Sequence, residues 1–534
     1  MIPIFPMKEL TEEEQAALRE CHTELTKRSA RNKRRSDIYN TRRLLEKVGF
    51  SIPPAMATLE AVVGWPSKAV DQLSARLILE GFVDATRIKP KPPTLPSPGV
   101  DGGVLPVLPP PEPDSDLETT IGEDLEEIFL ENLMSLEWPQ VQTNTFIHGC
   151  AFVAVTPGDP EEGEPEVLIQ GMPATEATGV WNVRTKRLKS ALWVPEAKMN
   201  EPFPRRAVLF LPTHTVEMSR EETGPVQIKR TPNVLKDLRR VPVTRVVHRP
   251  TLGRPFGQSR LTRALVYYAQ MAARTLLRTE VSAEFFSSPQ RWMMGAPPDA
   301  FNDAQGNPVT AWETILGKVW TMDKDDEGDL PVVGQFPTAD FTPHMEMMKE
   351  ITTLFAGESS LPVSSLGIVH DNPASAEAID AEWANMVAVA ELCQTELGVA
   401  ATEIAQNALL TRNRGMSLKE LAKLRPKWRD ASTPTRAAMA DATVKLVGAG
   451  ILPKESEVTL EQAGFDQTDI ARILRDQERA RQNDPLANAI GSMSKPELQA
   501  GLQQQGIVLP KEPSGAPSSN PQAPGGNRPS ASAR

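Results

Sequence analysis

Residues 358–379 read ESSLPVSSLGIVHDNPASAEAI, and this stretch decides how the second half of the chain is organised. Pro362 and Gly367 interrupt any continuous helix in its first half, where the serines also compete for backbone hydrogen bonds. Asn372 then stands at an N-cap position, with Pro373 at the first helical position and Glu377 in the opening turns. The stretch therefore predicts a polar loop that leads directly into a helix.

That helix is predicted to be unusually long. Apolar residues recur at steps of four and three for about four heptads, at Ile379, Trp383, Met386, Ala390, Cys393, Leu397, Ala400, Ile404 and Ala408. A helix of roughly 40 residues spans about 60 Å. A single globular core rarely needs such a rod, whereas a large assembly does. An intramolecular coiled hairpin within a helical domain is the alternative.

The first half of the chain changes from helical to strand-like periodicity near Thr143. Helical patterns cover residues 7–47, 51–83 (with a break at Trp65-Pro66 and Leu79 on the apolar face) and 117–136. Short β-rich segments follow at 146–155, 166–171, 179–194, 206–211 and 242–248. The proline-rich tract 89–116 cannot pack a core and is predicted to be a mobile insertion. We expect an α+β, helix-rich fold.

A second group of elements follows residue 250. Ser259 can cap a helix from Arg260 to about Phe286, and residues 290–295 and 318–322 predict strands of a small module. Residues 342–355 predict another helix. Beyond residue 412, shorter helices are predicted at 418–423, 434–448, 456–463, 467–481 and 495–504, and residues 509–534 have a composition typical of disorder.

Bulk composition excludes several classes of protein. The chain has 534 residues, a net charge of −11 and three widely spaced cysteines. It is therefore not built as a whole to grip nucleic acid electrostatically, and neither a disulfide framework nor a zinc site is indicated. The N-terminus lacks the layout of a signal peptide, and no run approaches 18 apolar residues, so we expect a soluble protein made inside the cell, with no membrane contact.

Catalytic motifs are mostly missing. The sequence contains no GxxxxGK[ST], HExxH, GxSxG or GxGxxG pattern, so it predicts no Walker-type ATPase, no catalytic residue, no metal site and no cofactor. Cys150 lies two residues after His148 on a predicted strand, hence on the same face. A cysteine hydrolase using this pair is conceivable, but two half-buried strand residues are the favoured interpretation.

The acidic run at 323–329 has two interpretations. It begins like a calcium loop, but the twelfth position is Gly334, which cannot supply a ligand. A solvated acidic loop fits better, and as such it is a candidate for docking a partner. The residues concerned are Asp323, Asp325, Asp326, Glu327 and Asp329.

The predicted helix at 260–286 carries arginines on one side and small residues on another. Such a helix suits packing between repeated neighbours, although an ordinary surface helix with solvated arginines is the alternative. The arginines that we assign to a subunit interface are Arg260, Arg263, Arg274 and Arg278.

Taken in order, these segments resemble the portal proteins of tailed bacteriophages, specifically the siphophage portal family of phages of actinobacteria. The resemblance covers most of residues 40–410. It is carried by Asn40–Leu45, Ile52-Pro53-Pro54, LEAVVGWPSKAVD at 59–71, GQSRL at 257–261, SPQR at 288–291, and the Leu361-Pro362, Leu366-Gly367 and NPASAEAI (372–379) segments.

The resemblance implies a homo-oligomeric ring, usually of twelve subunits, at one capsid vertex. It also implies a division of the chain into a wing at 1–256 (including the insertion 89–116), a stem helix at 257–286, a clip at 287–340, a second stem helix at 341–357, a tunnel loop at 358–372, a long helix at 373–412, a crown at 413–482 and a mostly disordered tail at 483–534. The tunnel loop would contact DNA through Ser364, Ser365, His370, Asp371 and Asn372.

The partners follow from the same resemblance. They are the terminase large subunit, head-completion or adaptor proteins, the major capsid and scaffolding proteins, and double-stranded DNA in transient, non-specific contact. The chain would be found in the virion, and in the host cytoplasm during assembly. An acidic chain with a mostly uncharged loop fits a conduit, because each strong phosphate contact is one that moving DNA must break. Besides a cysteine hydrolase, a coiled-coil scaffold using the 379–408 seam is the remaining alternative.

Overall fold

The computed structural model describes residues 9–42, 61–84, 115–195, 205–220, 225–286, 291–295, 332–335, 340–367, 376–413, 416–432, 436–454 and 456–482. Several predicted segments lie outside these ranges: nearly all of the proline-rich tract, the strand at 318–322, the acidic loop at 323–329, residues 368–375 and everything after residue 482. The chain divides into two compact units, Met1–Thr433 and Pro434–Arg534.

The helices of the first unit are α1 Glu12–Tyr39, α2 Trp65–Ser74, α3 Ser115–Glu131, α4 Met134–His148, α5 Arg263–Phe286, α6 Thr342–Ser359 and α7 Ala376–Arg412. The second unit contains α8 Arg436–Gly448, α9 Glu457–Gln462 and α10 Gln467–Gln482. Thus α7, with 37 residues, confirms the predicted long helix. The helix predicted at 342–355 is also confirmed and continues to Ser359. No helix in the described part of the chain is both long and apolar enough to span a membrane.

The strands are β1 Leu79–Asp84, β2 Cys150–Pro157, β3 Val167–Pro173, β4 Ala177–Asn182, β5 Arg187–Trp193, β6 Arg206–Phe210, β7 His214–Ser219, β8 Gln227–Pro232, β9 Val243–Val247, β10 Arg291–Met294, β11 Val332–Gln335 and β12 Leu424–Trp428. They form an antiparallel meander in the order β4-β5-β6-β7-β8, a three-stranded sheet β3-β2-β9, and the pairs β1-β12 and β10-β11. The predicted α+β, helix-rich class is confirmed.

Three apolar clusters hold the first unit together. The largest joins α2, α4, α5, α6 and α7 to the three-stranded sheet. A second lies between the two sheets, around Phe152 and Phe210. In the third, α1 lays Leu18, Cys21 and Leu25 against the meander. The three-stranded sheet is therefore buried on both faces, which explains why β2 is apolar at nearly every position.

One predicted helix and one predicted strand have different bounds in the structure. The pattern at 117–136 continues through Leu133, but Leu133 is left-handed (φ 49°) and separates α3 from α4. The strand predicted from Phe146 begins only at Cys150, because Phe146–His148 is the last turn of α4. Gly149 ends that helix at φ 95°, and a Cβ there would lie 3.0 Å from the carbonyl carbon of Gln258. Only glycine fits both requirements.

Leu79 belongs to a strand and not to the helical pattern predicted for 51–83. Strand β1 pairs with β12, with Phe82 opposite Pro426. This pairing brings residues 416–432 into the first unit, so the chain divides after Thr433 and not at residue 412. The predicted segment 179–194 is a hairpin, in which Lys186 takes the left-handed conformation (φ 53°) in the turn between β4 and β5.

Candidate functional site

The central feature of the first unit is the pairing of α5 with α6, which we call the stem-helix pair. The start of α5 lies beside the end of α6, where Thr262 donates a 3.0 Å hydrogen bond to Glu358, so the two helices run antiparallel. Their packed faces use small residues on α5 and larger ones on α6. The residues concerned are Ala269, Ala272 and Ala273 on α5, with Ile351 and Phe355 on α6. The pair is thus a hairpin whose base is fixed on the body of the chain.

Arg260 fixes that base from the inside. Its Nε donates a 2.7 Å hydrogen bond to the Ala69 carbonyl, and its Nη2 donates a 2.6 Å bond to the Ser359 carbonyl. Nη2 also approaches the Met386 sulfur, at 3.7 Å. Burial lowers the pKa of Arg260 to about 10. One guanidinium therefore joins α2, the C-terminus of α6 and α7, and its charge opposes the partial negative charge of the α6 terminus.

The assignment of Arg260 to a subunit-contact face of a stem helix is therefore wrong. Its side chain is only 8% exposed. The predicted cap Ser259 donates a 2.6 Å hydrogen bond to the Ile147 carbonyl, so its side chain binds the last turn of α4 and does not cap α5. Helix α5 begins at Arg263 instead, and Thr262 Oγ1 accepts from the Leu265 amide at the N-terminus. The remaining three arginines lie on α5. Arg263 is exposed, while Arg274 and Arg278 are half-buried.

The outer surface of the stem-helix pair exposes large apolar side chains. Tyr267 and Leu276 on α5 are 53% and 43% exposed, and Met345 and Leu354 on α6 are 57% and 49% exposed. Scattered apolar residues are normal on a surface, but five large ones along the described part of a single helix hairpin, Met347 included, indicate that more than one of its sides makes contacts. Arg278 adds a buried Nε for which no hydrogen-bond partner exists in the described part of the chain. The spacing of residues along the sequence draws attention to the arginines and gives no signal that these apolar residues are exposed.

The first half of the predicted tunnel loop is packed on the body. Leu361 and Leu366 are buried in the main core, and Gly367 ends a short 3₁₀ turn at φ 97°. Lys68 donates to the Ser365 carbonyl, and Ser364 donates to Glu382 on α7 at 2.8 Å. Any projecting segment therefore begins after Gly367. The other predicted loop residues, His370, Asp371 and Asn372, lie outside the described residues.

The seam of the long helix α7 packs within its own chain. Its predicted seam residues from Met386 to Ala408 are buried in the main core, beside the three-stranded sheet and β12. The seam itself is open at its N-terminal end, where Ile379 is 46% exposed. A coiled-coil scaffold would need the same seam for another chain. Because residues 386–408 already pack within the chain, this seam is not available for a coiled coil with another chain.

The pair Cys150 and His148 is not arranged as a nucleophile and its base. His148 ends α4 and Cys150 begins β2, so the two do not share a strand face. Burial raises the pKa of the Cys150 thiol to about 11. Burial, with Arg35 and Arg31 nearby, lowers the pKa of His148 to about 4. A reactive thiolate needs the opposite shift in its thiol pKa, so the site does not favour a cysteine hydrolase.

A different histidine forms the one side-chain group in the described residues whose donor atoms lie close enough together to hold a metal ion. His248 Nδ1 lies 3.6 Å from Cys393 Sγ and 3.5 Å from a Glu396 oxygen. Glu396 also accepts the Arg249 amide at 2.8 Å. Burial lowers the pKa of His248 and raises that of the Cys393 thiol to about 12. The charges of Arg249 and Arg260 act on this group and oppose a cation, so we interpret it as a hydrogen-bonded link between β9 and α7.

At the tip of the stem-helix pair, only one short ladder is described. Strands β10 and β11 pair antiparallel, with Trp292 opposite Gly334. The strand predicted at 290–295 is thereby confirmed. Its partner is 332–335, and the segment predicted at 318–322 lies outside the described residues. The acidic residues Asp323, Asp325, Asp326, Glu327 and Asp329 also lie outside them, so their docking role stays a prediction.

Comparisons with known proteins agree with the resemblance. The sequence profile described as "Phage portal protein, SPP1 Gp6-like" matches residues 18–483. A portal protein of Mycobacterium phage D29 is 28% identical over 424 residues, which is 78% of this chain and 79% of that one. A portal protein of Mycobacterium phage L5 is 26% identical over 461 residues, or 85% of each chain.

Solved structures show only a weak likeness. A chain from the neck of a native GTA particle, determined with C12 symmetry, matches 68% of this chain and 96% of its own length, with a TM-score of 0.36 and 15% identity. A chain from the neck of an empty GTA particle, determined with C6 symmetry, matches 78% and 94%, with a TM-score of 0.40 and 12% identity. The sequence profile, in contrast, spans most of the chain. The chain therefore belongs to the SPP1 Gp6-like family of phage portal proteins.

Proposed function

We propose that this portal protein assembles into a closed homo-oligomeric ring in which the outer surface of the stem-helix pair contacts the neighbouring subunit. The exposed Tyr267, Leu276, Met345 and Leu354 carry the proposal, because a single chain leaves them in water. In a ring each subunit uses one surface on each side, and the rotation closes on itself. Arg263, Arg274 and Arg278 supply the polar part of the same contact. Twelve subunits is the number that the family resemblance implies.

The ring is the conduit for double-stranded DNA during packaging and ejection. The net charge of −11 supports a wall that does not hold the phosphate backbone tightly, since every strong cationic contact adds affinity that translocation has to break. DNA contact is then transient and independent of sequence. The chain performs no catalytic step in this account. The terminase large subunit supplies the work of packaging.

We assign the DNA-facing part of the loop to residues 368–375, a narrower segment than 358–372. Residues up to Gly367 are anchored by Lys68 and Glu382 and by two buried leucines, so they form the root of the loop. His370, Asp371 and Asn372 belong to the projecting part. Ser364 is exposed at the root, whereas Ser365 is half-buried.

The remaining partners dock at the ends of the ring. The acidic residues at 323–329 dock terminase before packaging is complete and head-completion or adaptor proteins afterwards. The wing and the crown, 413–482 by resemblance, contact the major capsid and scaffolding proteins. The assembly resides at the portal vertex of the virion and forms in the host cytoplasm.

Electron microscopy of the purified protein tests the ring. Wild-type protein is expected to give rings with a central hole. Leu276→Glu places a charge in the proposed contact and is expected to give single subunits. Leu252→Glu is the matched control, because Leu252 is a fully exposed leucine in the loop after β9 and outside the stem-helix pair. Rings of equal yield from both variants would remove the stem-helix pair from the interface.

A packaging assay tests the loop. Replacing residues 369–372 by glycine and serine is expected to leave the ring intact and to reduce the amount of DNA packaged or retained. Ser364→Ala is the matched control at the anchored root and is expected to package as wild type. Unchanged packaging by the loop replacement would show that another segment contacts the DNA.

A further inference from the structure

A small, partly open cavity lies between the two sheets and α7, away from the stem-helix pair. It has a volume of about 30 Å³. One water molecule needs roughly 10–15 Å³ of such space, so the cavity holds a single small guest. Its polar lining comes from the β4–β5 hairpin, from the segment leading into β9 and from α7. The lining residues used below are Trp181, Lys186, Arg187, Arg240, Arg245 and Glu403.

Two guanidinium groups in the lining lack a partner. The Nη1 atoms of Arg240 and Arg245 are buried, and no hydrogen-bond acceptor in the described part of the chain reaches either of them. The Arg245 guanidinium lies 3.7 Å above the Trp181 ring, which holds it in place. Leaving a buried charged donor without an acceptor is strongly unfavourable, so native proteins provide one. The cavity beside them has space for such an acceptor.

The charge around the cavity selects the kind of guest. Four cationic side chains line it, Lys186, Arg187, Arg240 and Arg245, against the single carboxylate of Glu403. Arg187 pairs with that carboxylate and Lys186 is exposed to solvent, so the charges of Arg240 and Arg245 are the two that have no counter-charge in the lining. The pKa values of both Arg240 and Arg245 are lowered by burial, that of Arg245 to about 10. A water molecule would accept the N–H groups but would leave the charge uncompensated.

We propose that this cavity binds one small monovalent inorganic anion, of which chloride is the abundant example, between the guanidinium groups of Arg240 and Arg245. The anion receives N–H groups from both arginines and compensates part of their charge. Because the lining residues come from both sheets and from α7, the bound anion ties these three layers together. Its role is structural and independent of DNA.

An anion series on the full-length protein tests the site. Thermal unfolding is followed at constant ionic strength while chloride replaces methanesulfonate, an anion too large for the cavity. Binding to the folded state only raises the melting temperature as the ligand concentration passes its dissociation constant. We expect a rise of about 2 °C or more for the first unit, with bromide acting like chloride.

Two variants separate the site from general salt effects. In Arg240→Gln the response to chloride is expected to disappear. Arg239→Gln is the matched control, because Arg239 is the exposed neighbour and does not line the cavity. Chloride-35 NMR line broadening by the wild-type protein provides a second readout that needs no variant. Equal melting temperatures in chloride and methanesulfonate, or the same chloride response in Arg240→Gln and wild type, would overturn the proposal and indicate that water fills the cavity.

Discussion

Two long helical elements are attached to the body of this portal protein by one buried charge each, and the two attachments differ in kind. The helix α1 is held by Glu14, which is 1% exposed and accepts 2.8 Å hydrogen bonds from both Arg230 Nε and His214 Nε2. The stem-helix pair is held by Arg260, whose partners are the uncharged carbonyls of Ala69 and Ser359. The Glu14 attachment weakens when the carboxylate is protonated at acidic pH. The Arg260 attachment does not change at acidic pH, because its guanidinium has a pKa of about 10.

The surfaces of the two elements differ as well. The apolar face of α1 is covered by the five-stranded sheet, so this helix needs nothing beyond its own chain. In the described part of the chain, the stem-helix pair keeps five large apolar side chains in water. A helix whose apolar face is buried within its own chain stabilises the fold. A helix that leaves apolar side chains exposed is suited to contact another subunit. The predictions below test each side of this contrast.

The largest effect is expected for Arg260→Ala. The variant leaves two buried carbonyl acceptors without their donor and opens a cavity at the base of the stem-helix pair, so the free energy of unfolding should fall by about 3–4 kcal/mol. Denaturant unfolding of the first unit measures it. Arg263→Ala, an exposed arginine three residues away, should change the free energy of unfolding by less than about 0.5 kcal/mol. Equal losses of unfolding free energy in the two variants would show that Arg260 does not hold the base of the stem-helix pair.

The next effect is expected for Glu14. Arg230, Thr11 and His214 lower its pKa from 4.5 to about 2. A carboxyl with a lowered folded-state pKa contributes stability above its unfolded pKa and loses it as pH falls through the folded pKa. About 1.4 kcal/mol per pH unit gives roughly 3 kcal/mol, present at pH 7 and lost between pH 4.5 and 2.

The variant Glu14→Gln measures that contribution. Urea unfolding at pH 7 should show a loss of about 3 kcal/mol, and the part of the acid dependence that belongs to Glu14 should be gone. Glu12→Gln is the control, because Glu12 is exposed in the same first turn of α1. An unchanged acid transition in Glu14→Gln would assign the pH dependence to other carboxyl groups.

A smaller effect per contact is expected at the outer surface of the stem-helix pair. Leu354→Ala removes apolar area from the proposed interface and should weaken each subunit contact by about 1 kcal/mol, while the free energy of unfolding of the isolated subunit stays nearly constant. Mass photometry over a dilution series measures the dissociation of the ring. Val183→Ala, at an exposed site in the β4–β5 turn, is the control. A subunit that unfolds more easily, with unchanged ring dissociation, would place Leu354 in the fold instead.

The smallest effect is expected for Ser364→Ala. This exposed hydroxyl donates to Glu382 at the root of the loop, and an exposed hydrogen bond contributes about 0.5 kcal/mol or less. Denaturant unfolding should barely change. A loss above about 1.5 kcal/mol would mean that the root of the loop is buried in the assembled ring, and would extend the interface beyond the stem-helix pair.

Among the helices, the sequence predicted most accurately those with long, uninterrupted periodicity. Helix α7 and helix α6 were predictable because their apolar positions recur over many turns. Strand β8 was missed because its residues QIKRTP are nearly all polar, so nothing alternates. Strand β12 was missed because Pro426 lies within it, and its pairing with β1 joins residues more than 300 positions apart.

The candidate site was predictable only in outline. The sequence located the stem-helix pair, but spacing could not tell that Arg260 points into the chain, because that depends on carbonyls from α2 and α6. The proposed anion cavity had no sequence signal, since it joins Arg187 of β5 and Glu403 of α7 to Arg240 and Arg245, which lie just before and within β9. The exposed Leu276 and Leu354 look like ordinary core residues on a helical wheel, and only the folded chain shows that they face solvent.

The most direct test of the central claim is a cryo-electron microscopy reconstruction of the purified assembly. The account predicts a closed ring with a central hole, in which Leu276 and Leu354 of each subunit lie against the neighbouring subunit. A ring that leaves both leucines in solvent, or a protein that stays a single subunit at the concentrations used for assembly, would contradict it.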